Sequence, residues 1–150
     1  MIDIINELTS NYIFCVSVIS WFVAQVLKTI INLLVTKQLK LERLVGAGGM
    51  PSAHSAFVCS LTVATAKQCG LSSPMFAIAF ALAAVVLYDA MGVRRAAGEQ
   101  AKVLNQLSDL VFRNTKENYF VVKQLKELLG HTPLEVLAGA ILGISIALLL

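Results

Sequence analysis

The sequence predicts an all-α integral membrane protein, a helical bundle of about four transmembrane helices with an amphipathic cytoplasmic segment. Of its 150 residues, 57% are apolar and only 14% are charged, whereas soluble chains have about 45–50% apolar and about 25% charged residues. None of the apolar segments alternates strictly between polar and apolar residues, as membrane β-strands do. We expect one membrane domain over 1–150, with spans at about 12–35, 51–66, 72–90 and 133–150.

Composition also excludes several classes of protein. The chain has too much apolar surface and too little charge for a disordered protein. Three cysteines without a CxxC spacing argue against a disulfide scaffold. A net charge of +3 on so apolar a chain favours membrane orientation over nucleic-acid binding. A soluble helical bundle is the alternative, but the C-terminal ILGISIALLL has no polar face to turn toward water.

The four segments differ in how well they fit a membrane. The first is long enough to cross a hydrocarbon core of about 30 Å, and its flank has Asp3 and Glu7 but no basic residue, unlike a secretory signal. The other three are shorter and can cross the membrane only if their ends lie among lipid headgroups or beside a water-filled cavity.

Basic residues predict the orientation. Ten of the twelve lie in the first and third connections between spans, and the second connection has only Lys67. The positive-inside rule makes the first and third connections cytoplasmic. Both termini then face outward, and we expect the bacterial plasma membrane. The third connection contains an amphipathic segment at about 100–129, whose apolar residues include Val121, Val122, Leu125, Leu128 and Leu129.

The first polar cluster, GAGGMPSAHSA at 46–56, opens the second span. Pro51 suits an early helical position and Ser52 suits a helix cap. Glycines before a helix N-terminus permit close approach of an anion. His54 is then either part of such a site or a solvated residue in a capped helix.

The second cluster, YDAMGVRRAAGEQ at 88–100, leaves the third span. A carboxylate such as Asp89 costs free energy in hydrocarbon unless it is paired or hydrated. Arg94 and Arg95 have planar groups that suit phosphate or carboxylate. The alternative is that the arginines are membrane anchors and that Asp89 pairs with one of them.

The third cluster, LGHTPLEVLAG at 129–139, opens the last span. Thr132 and Glu135 fit a capping box with Pro133 as the first helical residue. Glu135 also lies four residues after His131 and would orient its imidazole. These two roles of Glu135 compete.

Lys28 lies in the first span on one face with Gln25 and Asn32. We therefore expect it to face the bundle interior or a cavity rather than to reach the interface. The predicted topology places both histidines, the arginine pair and the glycine-rich helix start on one side of the membrane. Two histidines, an acidic partner and fixed cations are the groups that phosphoryl transfer requires.

These motifs resemble those of the type-2 phosphatidic acid phosphatase and vanadium haloperoxidase superfamily. PSAH resembles its PSGH signature, and HTPLE resembles its His-x-x-x-Asp signature with Glu in place of Asp. The longer phrases resemble its small divergent membrane branch, over about 20–145: GGMPSAHSA, YDAMGVRRAAGEQA and GHTPLEVLAG. The resemblance implies that His131 is the nucleophile, that His54 is the general acid and that Glu135 is the partner of His131. It also implies phosphate contacts from Ser52, Ala53, Arg95 or Arg94, and Arg43 or Lys28.

Some spacings depart from the superfamily pattern. Arg95 lies 36 residues before His131, much farther than the superfamily signature places its arginine. Lys37 and Arg43 form a degraded basic signature, with no proline after Arg43.

The sequence predicts a phosphatase that hydrolyses a lipid or isoprenoid phosphate through a phosphohistidine, without metal or other cofactor. The alternative is a non-catalytic binder or transporter of a phosphorylated lipid. A third hypothesis is a metal site formed by His54, His131, Asp89 and Glu135. Small residues also predict contact between copies of the chain: Ala53, Ala56, Ala138, Gly139 and Gly143.

Overall fold

A computed structural model describes residues 2–37, 49–112, 125 and 130–150 of the protein. These residues form helices and no strand, which confirms the all-α prediction. The helices are α1 (Ile2–Ser10), α2 (Tyr12–Thr36), α3 (Ala53–Cys69), α4 (Pro74–Met91), α5 (Val93–Phe112) and α6 (Pro133–Leu149). Arg43 and most of the predicted segment at 100–129 lie outside the described residues.

Each of the four apolar segments forms a helix, but the helices are not equally suited to a membrane. The stretches Tyr12–Val35 and Pro74–Ser108 are long and apolar enough to cross it, and Pro133–Leu149 is apolar but shorter. The 17 residues of α3 include many Ala, Ser and Thr. The count of four spans therefore stays a prediction.

Helix α3 lies at the centre, where it contacts α2, α4 and α6. Glycines of α6 permit the closest of these contacts, because a Cβ at Gly139 would overlap the Ser52 carbonyl oxygen and one at Gly143 would overlap the Ala56 carbonyl oxygen. Ala53 is buried with them. These small residues therefore pack helices within one chain, and contact between copies of the chain stays a prediction.

The exposed surface of the bundle is apolar, while several polar side chains are buried inside it. Large apolar side chains are exposed along α2, α4 and α6, among them Phe22, Val85 and Leu148. Ser17, Ser20 and three serines of α3 and its cap are fully buried. Soluble proteins rarely expose apolar patches of this extent, whereas small polar residues are typical of contacts between membrane helices.

Helix α5 follows α4 after a turn at Gly92, whose N–H donates to the Tyr88 carbonyl 2.9 Å away. This helix therefore begins at Val93, before the start of the predicted amphipathic segment at about 100. Asn105 of α5 holds Leu125 by two hydrogen bonds, of 2.9 and 3.0 Å, to the Leu125 backbone.

Candidate functional site

The start of α3 is fixed by serine side chains and by a link to α6. Ser52 is the N-cap, as predicted, and its hydroxyl accepts hydrogen bonds from the Ser55 amide at 3.3 Å and the Ser55 hydroxyl at 2.9 Å. Its own amide donates to the Glu135 carbonyl oxygen at 2.9 Å. The prediction that Pro51 occupies an early helical position was wrong, because the chain enters the helix only after Ser52.

The start of α6 combines the two roles predicted for Glu135. Thr132 is the N-cap of a complete capping box, with the Glu135 amide 3.3 Å from its hydroxyl. Glu135 Oε2 accepts a hydrogen bond from the Thr132 amide at 3.0 Å and lies 3.1 Å from His131 Nδ1. One carboxylate oxygen therefore caps the helix and also contacts the histidine just outside it.

This contact determines the chemistry available to His131. An ionised carboxylate only accepts hydrogen bonds, so this contact favours the His131 tautomer that has its proton on Nδ1 and its lone pair on Nε2. The His131 side chain is only 4% exposed, and its amide donates to the Ala90 carbonyl at 3.1 Å. The imidazole is therefore held between α6 and the end of α4.

Gly130, just before His131, further constrains the position of His131, and the sequence did not predict this role. Its φ is +93°, and a Cβ there would lie 2.5 Å from the Arg95 amide nitrogen. Only glycine fits both the backbone angle and the contact. A glycine directly before the His-Thr-Pro motif was the available signal for such a close approach.

Both histidines border one cavity of about 200 Å³. Their ring centroids are 6.2 Å apart and the rings are tilted by 57°. The cavity is lined by His54, Val85, Val86, Asp89, Ala90, Arg94 and His131. The structure thus brings together residues from α3, α4, α5 and the start of α6.

Positive charge is concentrated near His54. Lys28 and Arg94 are both close enough for their charges to act on its imidazole. Arg94 Nε lies 2.5 Å from Asp89 Oδ2, which confirms that Asp89 pairs with one of the arginines. Only one nitrogen of the guanidinium is used in this pair, so the group still has other donors for an anion.

The structure separates the two neighbouring arginines. Arg94 shares the cavity with both histidines, whereas Arg95 borders a second cavity and has Nε 3.3 Å from Glu99 Oε1.

The other predicted phosphate contacts are placed as follows. Lys28 is 4% exposed, which confirms that it faces the interior, and its side chain packs beside Gly49. Ser52 and Ala53 are buried and border neither cavity. Their contact with phosphate stays a prediction, and Arg43 lies outside the described residues.

The metal-site hypothesis gains no support from this geometry. Within the described ranges, no three carboxylate, imidazole or thiol side chains form a group that could hold a metal ion.

The helical fold and the apolar surface define a helical membrane protein. The chain belongs to the divergent PAP2 family, which matches residues 9–146. It is similar to the "Uncharacterized membrane protein YuiD" of Bacillus subtilis (strain 168), with 39% identity over 155 aligned positions that span 96% of each chain. No solved structure matches it.

Proposed function

We propose that this protein is a membrane phosphatase that hydrolyses a lipid or isoprenoid phosphate through a phosphohistidine intermediate on His131. The observation that carries the proposal is the cavity shared by His54, His131 and Arg94, with His131 Nδ1 beside Glu135. This arrangement supplies a nucleophile, a proton donor and a fixed cation, which are the groups that divide phosphoryl transfer into two steps.

In the first step, the lone pair of His131 Nε2 attacks phosphorus, and the bond from phosphorus to the lipid oxygen breaks. Protonated His54 donates its proton to that oxygen, so the lipid leaves as an alcohol. Arg94, oriented by Asp89, stabilises the negative charge of the phosphoryl oxygens. Glu135 stabilises the positive charge that develops on the His131 ring.

In the second step, a water molecule attacks the phosphohistidine. His54, now neutral, accepts a proton from this water as its oxygen bonds to phosphorus. The bond between phosphorus and Nε2 breaks and its electron pair returns to His131. Inorganic phosphate leaves, and both histidines are restored to their starting protonation states.

The wall of the cavity supports an amphiphilic substrate. Val85 and Val86 of α4 form part of this wall. Val85 is 66% exposed on the apolar outside of the bundle. A phosphate beside the histidines would therefore have its apolar chain close to the lipid-facing side of α4.

Phosphate release from lipid nanodiscs tests the proposal directly. The purified protein is given phosphatidic acid or a polyprenyl phosphate, and His131→Ala is expected to reduce release to background because it removes the nucleophile. Acid-labile labelling of the protein by ³²P substrate should disappear with it. An unchanged circular dichroism spectrum and unfolding midpoint would show that the variant is folded.

Two results would refute the mechanism: phosphate release that survives in His131→Ala, or turnover by the wild-type protein without any labelled intermediate. His54→Ala is the companion variant. It should slow both steps but still allow labelling, because the nucleophile is retained.

One observation favours the alternative, a non-catalytic binder or transporter of a phosphorylated lipid. Ser52 is expected to contact phosphate, but its amide already donates to the Glu135 carbonyl oxygen. This function predicts saturable binding or transbilayer movement of the lipid phosphate without release of phosphate. Hydrolysis by the wild-type protein that depends on His131 would exclude it.

A further inference from the structure

A second cavity, also of about 200 Å³, is bordered by His131 and the first half of α5. It is lined by Arg95, Gly98, Glu99, Lys102, Gly130, His131 and Thr132. The valines of the first cavity have no counterpart here, since the lining residues are glycines and residues with polar or charged side chains.

The charged groups of this second cavity lie on one face of α5. Arg95, Glu99 and Lys102 are spaced i, i+4 and i+7, which places them in one row along a helix. Two cations face one carboxylate, so the described wall has a net positive charge. Glu99 Oε1 contacts Arg95 Nε at 3.3 Å and thereby orients the guanidinium.

Two glycines form part of this wall. Gly98, which is buried, lies between Arg95 and Lys102 along α5, and Gly130 lies directly against the Arg95 backbone. Since a water molecule takes about 30 Å³ of liquid volume, the cavity can hold a small oxyanion with part of its hydration shell.

We propose that this cavity, which shares His131 with the first cavity but has Arg95 and Lys102 as its cations, is a second anion site that takes a phosphate group. An arginine fork beside a lysine point charge suits phosphate oxygens. The phosphate is either free inorganic phosphate or the headgroup of an anionic phospholipid. The site requires no turnover, so it extends beyond the proposed phosphatase activity.

Calorimetric titration of inorganic phosphate into the protein in neutral phosphatidylcholine nanodiscs tests the site. The expected result is binding that survives in Arg94→Gln, which disables the first cavity, and that weakens about three- to tenfold in Lys102→Gln. Glu99→Gln should strengthen binding by a similar factor, because it removes the carboxylate from the wall. Lys102→Arg, which keeps the charge, is the matched control and should bind like the wild type.

A second series with phosphatidylglycerol nanodiscs distinguishes the two sources of phosphate. If lipid headgroups occupy the site, phosphate should bind more weakly in these discs than in neutral discs, and Lys102→Gln should remove that difference. If the site takes free phosphate, the Lys102→Gln and Glu99→Gln effects should be the same in both kinds of disc.

The proposal is overturned if phosphate binding disappears in Arg94→Gln, or if Lys102→Gln and Glu99→Gln leave it unchanged while both variants keep the wild-type unfolding midpoint. Because binding is measured and not hydrolysis, a protein without phosphatase activity can still show this site. Conversely, an active phosphatase can lack it.

Discussion

One carboxylate oxygen of Glu135 serves two neighbours. Oε2 accepts the Thr132 amide hydrogen and contacts His131 Nδ1. Helix capping requires only an acceptor, which glutamine also provides. Support of a cationic imidazole requires the negative charge. Substitution can therefore separate the two roles.

We predict that Glu135→Gln lowers phosphate release about 10- to 100-fold, since a hydrogen bond to a charged group is worth about 1.5–3 kcal/mol. The free energy of unfolding should change by less than about 0.5 kcal/mol, because the capping box is retained. Phosphate release and denaturant unfolding, measured on one preparation, check both expectations.

Thr132→Ala is the matched control. It should cost about 1 kcal/mol of stability through loss of the cap and affect activity less, since His131 still contacts Glu135. Equal loss of activity in both variants would mean that Glu135 acts on His131 only through the helix.

Gly130 controls the placement of His131 through the backbone. We predict that Gly130→Ala destabilises the protein by more than the strain of about 1–3 kcal/mol expected at such a backbone angle, because its Cβ would overlap the Arg95 backbone. Phosphate release should fall sharply, since His131 must move with its neighbour.

Gly70→Ala is the control, because Gly70 also has a positive φ of +83° but a Cβ added there would meet no atom within 4 Å. Gly70→Ala should lower the free energy of unfolding through backbone strain and should keep its activity. If both variants lose activity equally, the contact between Gly130 and Arg95 is not what places His131.

At the scale of helices, the position of His54 relative to His131 depends on the contact between α3 and α6. The two helices meet where Gly139 and Gly143 face carbonyl groups of Ser52 and Ala56. The Ser52 amide and the Glu135 carbonyl join their first turns. Since each helix begins beside one of the histidines, separation of the helices would also separate the two imidazoles.

We predict that Gly143→Ala costs about 2–3 kcal/mol of stability, the upper part of the usual range for overpacking, because the obstacle is the Ala56 backbone. Denaturant unfolding in detergent measures this loss. Leu137→Ala is the control on the same helix: its side chain is exposed, so the effect should be small. Comparable losses would indicate that α6 is not packed as described.

At the scale of the whole molecule, the distribution of charge predicts which end of the bundle faces the cytoplasm. Both histidines lie at the end that contains Arg94 and Arg95, and Lys67 lies at the opposite end of α3. Lys67 Nζ contacts the Ala147 carbonyl at 3.1 Å. If the positive-inside rule applies, the histidine cavity faces the cytoplasm.

Thiol labelling of intact cells can measure this orientation. Cys69 is exposed at the end of α3. With Cys15 and Cys59 replaced by serine, a membrane-impermeant maleimide should label Cys69 from outside. Ala97→Cys, introduced on α5 into a protein without other cysteines, should be labelled only after permeabilisation. The reverse pattern would place the histidine cavity outside the cell.

Much of the local structure could be predicted because its causes are local. Apolar segments at 51–66 and 72–90 correspond closely to α3 and α4, and the caps at Ser52 and Thr132 follow from short-range hydrogen bonding. The start of α5 at Val93 was not predicted, because its charged first turns resemble a connection and lack a clear apolar stripe.

The sequence by itself determined an apolar, all-helical chain, the ends of its main helices and the capping box, because hydrophobic and capping patterns act between residues that are close along the chain. Only the tertiary structure decided that Arg94 borders the cavity of both histidines, whereas Arg95 borders the second cavity, which it shares with His131 alone. Adjacent residues on a helix point about 100° apart, and the rotation of α5 depends on how it follows α4. The tertiary structure also decided that His54 and His131 share one cavity, because their distance depends on the packing of α3 against α6.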